Sequence, residues 1–328
     1  SSSGGRFPGL ISIKPLSKVI LCINLSKKNE ADIAILSLKN EIVVEKRMST
    51  AGMATAEDTV QEIYRQSNEM LDEAKIDPKM LLGIGVAAPG IFFKENRCIV
   101  NSTNELYENQ PLKDMLEKTF GLPAYVENES NLMAVASTLL EPKGLKTKDL
   151  IYIFTGEGLG TGIIANGSLV TGSRGLGGEI SHIPIGKRNF KCYCGSEGCV
   201  ETELTLKGFL KKFYGQEFSK GNDTFEQWEI FISKLKSGET KAISVAEENG
   251  KLFGKLISIL INIFDPKIIY FGGITEPIFE HLYPEMIQEV RKRIVVSQHS
   301  NISICNSKGY ESLILQGCCE LVINQWRP

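Results

Sequence analysis

Apolar residues fall in short runs set between polar bends, and longer stretches repeat at helical spacing. VILCINL (19–25) is the first strand candidate. ADIAILSL (31–38) and IVVEKRM (42–48) flank a Lys39-Asn40-Glu41 turn, which predicts a hairpin. Val60, Ile63, Tyr64, Ser67, Met70 and Leu71 share one helical face and predict a helix over 56–75. LLGIGVAAP (81–89) reads as a strand, 111–119 as a helix, AYVEN (124–128) as a strand and NLMAVASTLL (131–140) as a helix. The opening plan then recurs. LIYIFTG (150–156) is a strand, EGLGTG a bend, and IIANGSLVTG a hairpin about Asn166-Gly167. KLFGKLISILINIF (251–264) is apolar nearly all round and predicts a buried helix. KIIYFGG (267–273), a helix over 277–294, ISICNS (302–307) and a helix over 310–325 complete the pattern.

Strands mixed with helices predict α/β domains. The repeated strand, bend and hairpin at 19–48 and 150–172 imply two related halves. A cleft between two such halves is a usual place for a small ligand.

The chain of 328 residues is long enough for one large or two medium domains, and its net charge of −2 gives no reason to expect tight nucleic-acid or anionic-membrane binding. No apolar run approaches the ~20 residues of a membrane span. The start, SSSGGRFPGL, lacks a signal-peptide core, and eight Cys is not a disulfide-dense composition. These features predict a cytoplasmic protein.

One cluster stands out. HIPIGKRNFKCYCGSEGCVETE (182–203) places His182, Cys192, Cys194 and Cys199 within eighteen residues. Four such ligands match a closed tetrahedral zinc site, with Gly195 and Gly198 letting the loop turn around the ion. The plainer reading is a set of reduced buried cysteines. A Cys₃His set fills all four positions and leaves none for water, so the site would be structural. Glu201 follows the clip, and Glu203, two residues on, reads as a surface acid.

With its neighbours, the segment GLGGEISHIPIGKRNFKCYCGSEGCVE resembles the signature of the ROK family, which contains sugar kinases and sugar-responsive repressors. GIGVAAPG (83–90), STNELYENQPL (102–112), VENESNLMAVAS (126–137), GEGLGTGII (156–164) and NIFDPKIIYFGG (262–273) resemble other family segments, in family order. The resemblance implies an actin-like (ribonuclease-H-like) two-domain ATPase fold with a sugar in the interdomain cleft. It implies an N-terminal α/β domain of 11–130 plus 310–328 and a larger C-terminal α/β domain of 131–309, with the clip at 182–199. Sugar contacts would be Asn104, Asn128, Glu129, Glu179, His182 and Glu201. Carboxylates and amides suit neighbouring sugar hydroxyls, which both donate and accept. Zinc would hold one His182 nitrogen while the other faces the sugar. Asn104 and Asn128 also suit turns, and Glu129 suits the start of a helix.

The phosphate half departs from the kinase pattern. Family kinases carry Asp-x-Gly-Gly-Thr after the first strand, whereas this chain has Asn24-Leu25-Ser26-Lys27-Lys28. The acid that helps to place magnesium is an amide, and the glycines that admit phosphate are gone. Lys27 and Lys28 read as solvated charges that can attract an anion but cannot rebuild a backbone cradle. Glu157 replaces a Thr or Ser, and a carboxylate near phosphate costs roughly 4 kcal/mol at 4 Å with an effective dielectric of 20. Gly158, Gly160, Gly162, Gly272 and Gly273 remain as remnants of the nucleotide loops. The family's catalytic Asp is Glu129 here. Loss confined to the phosphate half favours a sensor: a sugar-responsive transcriptional repressor, binding a sugar or sugar phosphate as a dimer or tetramer. The alternative is a kinase using magnesium and ATP on a hexose or amino sugar, with Glu129 as base. Residues 1–13 resemble the wing of a DNA-binding helix-turn-helix, so 1–10 read as a wing remnant or linker, with the rest of that DNA-binding segment outside this chain.

Overall fold

Two five-stranded sheets repeat one plan, as the recurring hydrophobic pattern predicts. The computed structural model describes residues 17–140, 147–187, 190–215, 218, 223–295, 302–307 and 309–325, so the wing-like stretch at 1–13 lies outside the described residues.

In the first sheet β1 (Val19–Asn24), β2 (Glu30–Ser37) and β3 (Ile42–Ser49) form an antiparallel meander. The turn between β2 and β3 works because Asn40 accepts a φ of 63°. Strand β4 (Leu81–Ala88) runs parallel to β1. The small hairpin β5 (Ile91–Phe93) and β6 (Cys98–Val100) follows, and β7 (Ala124–Asn128) closes the order β3-β2-β1-β4-β7.

The second sheet copies this with β8 (Leu150–Thr155), β9 (Leu159–Ala165), β10 (Ser168–Leu169), β11 (Ile268–Gly273) and β12 (Ser303–Asn306) in the order β10-β9-β8-β11-β12. Asn166 (φ 52°) and Gly167 (φ 76°) make the hairpin turn that the Asn-Gly pair predicts.

Helices fill three layers. α1 (Ala56–Glu73) and α2 (Leu112–Phe120) cover one face of the first sheet. The first is started by a Thr55–Asp58 capping box. Tyr64, expected on its buried face, is 39% exposed and instead meets Phe120 edge-on at 5.0 Å. Between the sheets lie α3 (Glu129–Ser137) and, at the end of the chain, α9 (Tyr310–Gln325). Their apolar residues join Ile20 and Ala87 of one sheet to Tyr152 and Ile164 of the other in one core.

The outer face of the second sheet carries α4 (Glu201–Leu204), α5 (Leu206–Tyr214), α6 (Thr224–Lys236), α7 (Thr240–Phe264) and α8 (Phe279–Arg293). The buried helix expected at 251–264 is the second half of α7. Its first half is amphipathic, so a reading keyed to continuous apolar residues starts late. Among the described residues, no helix is long and apolar enough to cross a membrane.

Candidate functional site

A cleft of about 560 Å³ opens between the two sheets. It is framed by the chain beyond the carboxyl ends of β1, β4, β7 and β8, the usual position for a ligand in parallel sheets. Five of the six residues expected to meet a sugar line it: Asn104, Asn128, Glu129, Glu179 and Glu201.

The two asparagines serve local structure and cleft together. Asn128 is the N-cap of α3, its Oδ1 accepting from the Asn131 N–H at 2.8 Å. Asn104 Oδ1 accepts from the Leu106 N–H at 3.1 Å. Capping engages the oxygens, and both residues line the cleft. The carboxylates supply acceptors. Burial raises the Glu129 carboxyl above its ordinary range, with the Ser26 side chain opposing the rise. Burial, and then the charge of Glu127, raises Glu179. Burial, and then the charge of Glu179, pushes Glu201 up to about 7. Thr161 Oγ1 is buried without a hydrogen-bond partner among the described residues, and Glu201 Oε2, buried and likewise without a hydrogen bond, lies 3.6 Å from His182 Nδ1. Orphaned buried acceptors are costly unless a polar ligand or water meets them.

Beside Glu201, the ligand atoms of His182, Cys192, Cys194 and Cys199 all lie within 4.8 Å of one another and could hold a metal ion. His182 Nδ1 is 3.5 Å from Cys192 Sγ, and Cys194 Sγ is 3.7 Å from Cys199 Sγ. The loop closes through the Cys192 N–H to the Ser196 carbonyl and through positive φ at Gly195 (92°) and Gly198 (76°). His182 itself does not line the cleft. Its Nε2 meets the hydroxyl of Tyr193 at 3.2 Å, and Tyr193 lines the cleft in its place. On this wall the cleft is lined by Tyr193 and not by the imidazole expected there.

Glu203, expected at the surface, is fully buried. Its carboxylate is 2.9 Å from Lys212 Nζ, which also donates to Asn249 Oδ1 at 2.7 Å. A buried charge persists only when paired, and Lys212 supplies the pair.

The phosphate side is occupied by the chain's own contacts. Asn24 is 1% exposed; its Oδ1 accepts from both Ser26 N (3.0 Å) and Ser26 Oγ (2.7 Å), and its Nδ2 donates to Asp32. Lys27, expected as a solvated charge, pairs with Asp32 at 3.2 Å, while Lys28 is exposed at the cleft edge. Of the glycines expected to mark nucleotide loops, Gly158 and Gly160 line the cleft, whereas Gly162, Gly272 and Gly273 do not. Packing accounts for most of them. A Cβ on Gly160 would sit 1.9 Å from Ser130 Oγ, and one on Gly162 would sit 2.4 Å from the Ser130 carbonyl. These two glycines let α3 lie on β9. Gly273 has a φ of 81°, and a Cβ there would sit 1.9 Å from the Thr155 carbonyl oxygen.

Sequence reasoning missed Tyr193, Thr161, Ser181 and Phe225, all cleft-lining. Tyr193 carried a signal, an aromatic residue between two candidate ligands. Phe225 carried none, because only the fold brings the start of α6 to the cleft.

The ROK family's sequence profile matches residues 22–325. A xylose repressor from Caldicellulosiruptor bescii is 29% identical over 98% of this chain and 82% of its own length. The DNA-binding transcriptional dual regulator NagC of Escherichia coli is 26% identical over 84% of this chain and 68% of its own. A glucokinase from Halalkalibacterium halodurans is 29% identical over 59% of this chain and 61% of its own. Among solved structures, a ROK family transcriptional regulator described as a homolog of the E. coli MLC protein superposes with a TM-score of 0.76 at 22% identity, covering 94% of this chain and 80% of that one. A ROK family glucokinase from Streptomyces griseus, in complex with glucose and AMPPNP, superposes with a TM-score of 0.71 at 21% identity, covering 92% and 98%. The shared architecture is the actin-like, ribonuclease-H-like α/β fold. By the match that spans nearly all of it, this chain belongs to the ROK family.

Proposed function

We propose that this chain is the sugar-sensing part of a ROK transcriptional repressor. It binds a carbohydrate in the interdomain cleft and passes that event to DNA binding through a change in domain geometry. The observation that carries the reading is the split character of the cleft. One half offers asparagine donors, carboxylate acceptors and orphaned polar atoms to a polyhydroxyl ligand. In the other half, Asn24 spends its carboxamide on Ser26 and Asp32. The first half suits a sugar, and in the second, among the described residues, no carboxylate takes the place of Asn24 to gather magnesium and triphosphate. Similarity to a xylose repressor and to NagC over most of the chain supports the same reading.

The four-ligand cluster fits zinc. Zinc–sulfur bonds of ~2.3 Å and zinc–nitrogen bonds of ~2.0–2.1 Å at tetrahedral angles give edges of about 3.8 Å between sulfurs and about 3.5 Å between sulfur and nitrogen. Two of the six edges, at 3.7 Å and 3.5 Å, match these values, and all the ligand atoms lie within 4.8 Å of one another. His182 would bind through Nδ1, and Cys192, Cys194 and Cys199 through sulfur. The ion would be structural, fixing the loop that presents Tyr193 and Glu201 to the sugar. Homodimerisation, contact with operator DNA and a cytoplasmic setting belong to this proposal.

A plate of hexoses, pentoses, amino sugars and their phosphates, read by thermal shift with and without magnesium-ATP, tests it. We expect at least one sugar or sugar phosphate to stabilise the protein independently of ATP, with no phosphorylation above background. Turnover of any sugar would replace this reading with the kinase one, with Glu129 as base.

A further inference from the structure

A second cavity, of about 710 Å³, lies across the same two domains and apart from the sugar cleft. Its walls come from both halves. The first domain gives Phe92, Tyr125 and the end of α9 at Leu321, and the second gives Thr138, Thr147 and Leu169. It is basic. Lys94, Lys113 and Lys148 line it, against one carboxylate among the described residues, Glu127. Lys113 is answered by Glu117 at 2.7 Å. Lys94 donates only to uncharged groups among the described residues, Thr171 Oγ1 at 2.6 Å and the Gly172 carbonyl at 3.2 Å. Lys148 is exposed at the rim.

A second observation is independent of charge. Thr147 is 5% exposed, and its Oγ1 has no hydrogen-bond partner among the described residues. A buried hydroxyl on the wall of a basic cavity calls for a polar occupant. The size falls in the usual range for small-molecule sites, and Phe92, Leu169 and Leu321 supply apolar wall.

We propose that this cavity is a second ligand site, taking a small organic anion with an apolar body. Lysines act as point charges toward phosphate or carboxylate, so that shared chemistry defines the class. The site also adjoins the sugar cleft through Glu127. Its carboxylate accepts from the Asn128 N–H and from Asn131 Nδ2, both at 2.9 Å, and so holds the start of α3. A ligand touching both domains there favours one domain angle, and through it shifts sugar affinity by linkage. That consequence rests on the sugar reading, whereas the anion site does not.

The test is calorimetry on the whole chain with phenyl phosphate and benzoate, and benzyl alcohol as the uncharged control. Saturable binding of at least one anion, weakened about fivefold or more by Lys148→Gln and blocked by Ser168→Trp, supports the site. Both substitutions fall on exposed positions, so folding is expected to survive and is checked by the unchanged sugar thermal shift or, without one, by circular dichroism. Phenyl phosphate alone would assign phosphate, and benzoate alone carboxylate. No saturable anion binding, equal binding of benzyl alcohol, or binding unaltered in both variants would overturn the proposal. Anion binding in a protein that responds to no sugar would keep the site and remove the sugar reading.

Discussion

The cleft gathers acidic side chains whose carboxyls burial pushes above their ordinary range. Glu129, Glu179 and Glu201 are all raised by burial, the last to about 7. An ionised carboxylate accepts from two hydroxyls, and a protonated one gives up part of that capacity. Sugar affinity is therefore expected to fall as pH drops, starting above the ordinary carboxylate range. Titrations from pH 8 to 5 check this, and a flat profile would show that these groups do not meet the ligand. In stability the sign is the reverse. A carboxyl raised in the folded state stabilises fully below its unfolded value, and that stabilisation is lost as pH rises through the folded one. At the clip, Cys194→Ser is expected to remove about one metal equivalent per chain and to lower the melting temperature clearly. Elemental analysis with a melting curve would decide it, and a stable variant with unchanged metal content would refute the four-ligand reading.

Individual elements depend on close approaches that no periodicity reports. α3 rests on β9 because Gly160 and Gly162 carry no Cβ. Overpacking of this kind typically costs ~1–3 kcal/mol. Gly162→Ala, which meets backbone at 2.4 Å, should fall at the upper end of that range by urea denaturation. Gly158→Ala, with 3.6 Å to Glu201 Oε1, should be close to neutral, because its nearest neighbour is at ordinary contact distance. Equal losses at both positions would argue against packing as the reason for the glycines. α4 is tied to α5 and α7 by the Glu203–Lys212–Asn249 network. Removing one partner of a buried pair costs ~3–5 kcal/mol. Lys212→Met alone is therefore expected to destabilise strongly, and Lys212→Met with Glu203→Leu to recover much of the loss. A double variant as unstable as the single would show that packing, not charge, dominates there.

At the scale of the whole molecule, two copies of one sheet plan face each other across α3 and α9, and the cleft is the gap between them. Sugar bound to both walls should favour a closed angle, so the radius of gyration in small-angle scattering is expected to decrease on addition of the stabilising sugar. No change would confine the response to local loops. Much of this plan was legible in the sequence. Apolar runs gave the strands, Asn-Gly gave the second hairpin, and the spacing of His182, Cys192, Cys194 and Cys199 gave the cluster, because each is a local pattern with a local physical cause. Glu203 reads as a surface acid because carboxylates are rarely buried without a partner, and its partner Lys212 lies nine residues on and is buried beside it. Tyr193 standing between His182 and the cleft, Phe225 reaching the same cleft, and the basic cavity shared by the two domains belong to neither half alone. The sequence by itself determined the strands, turns and the His–Cys cluster, since these need only neighbouring residues. The tertiary structure alone decided which side chains line the cleft, which charges are buried, and where the two halves leave space, since burial and distance arise only when remote segments pack.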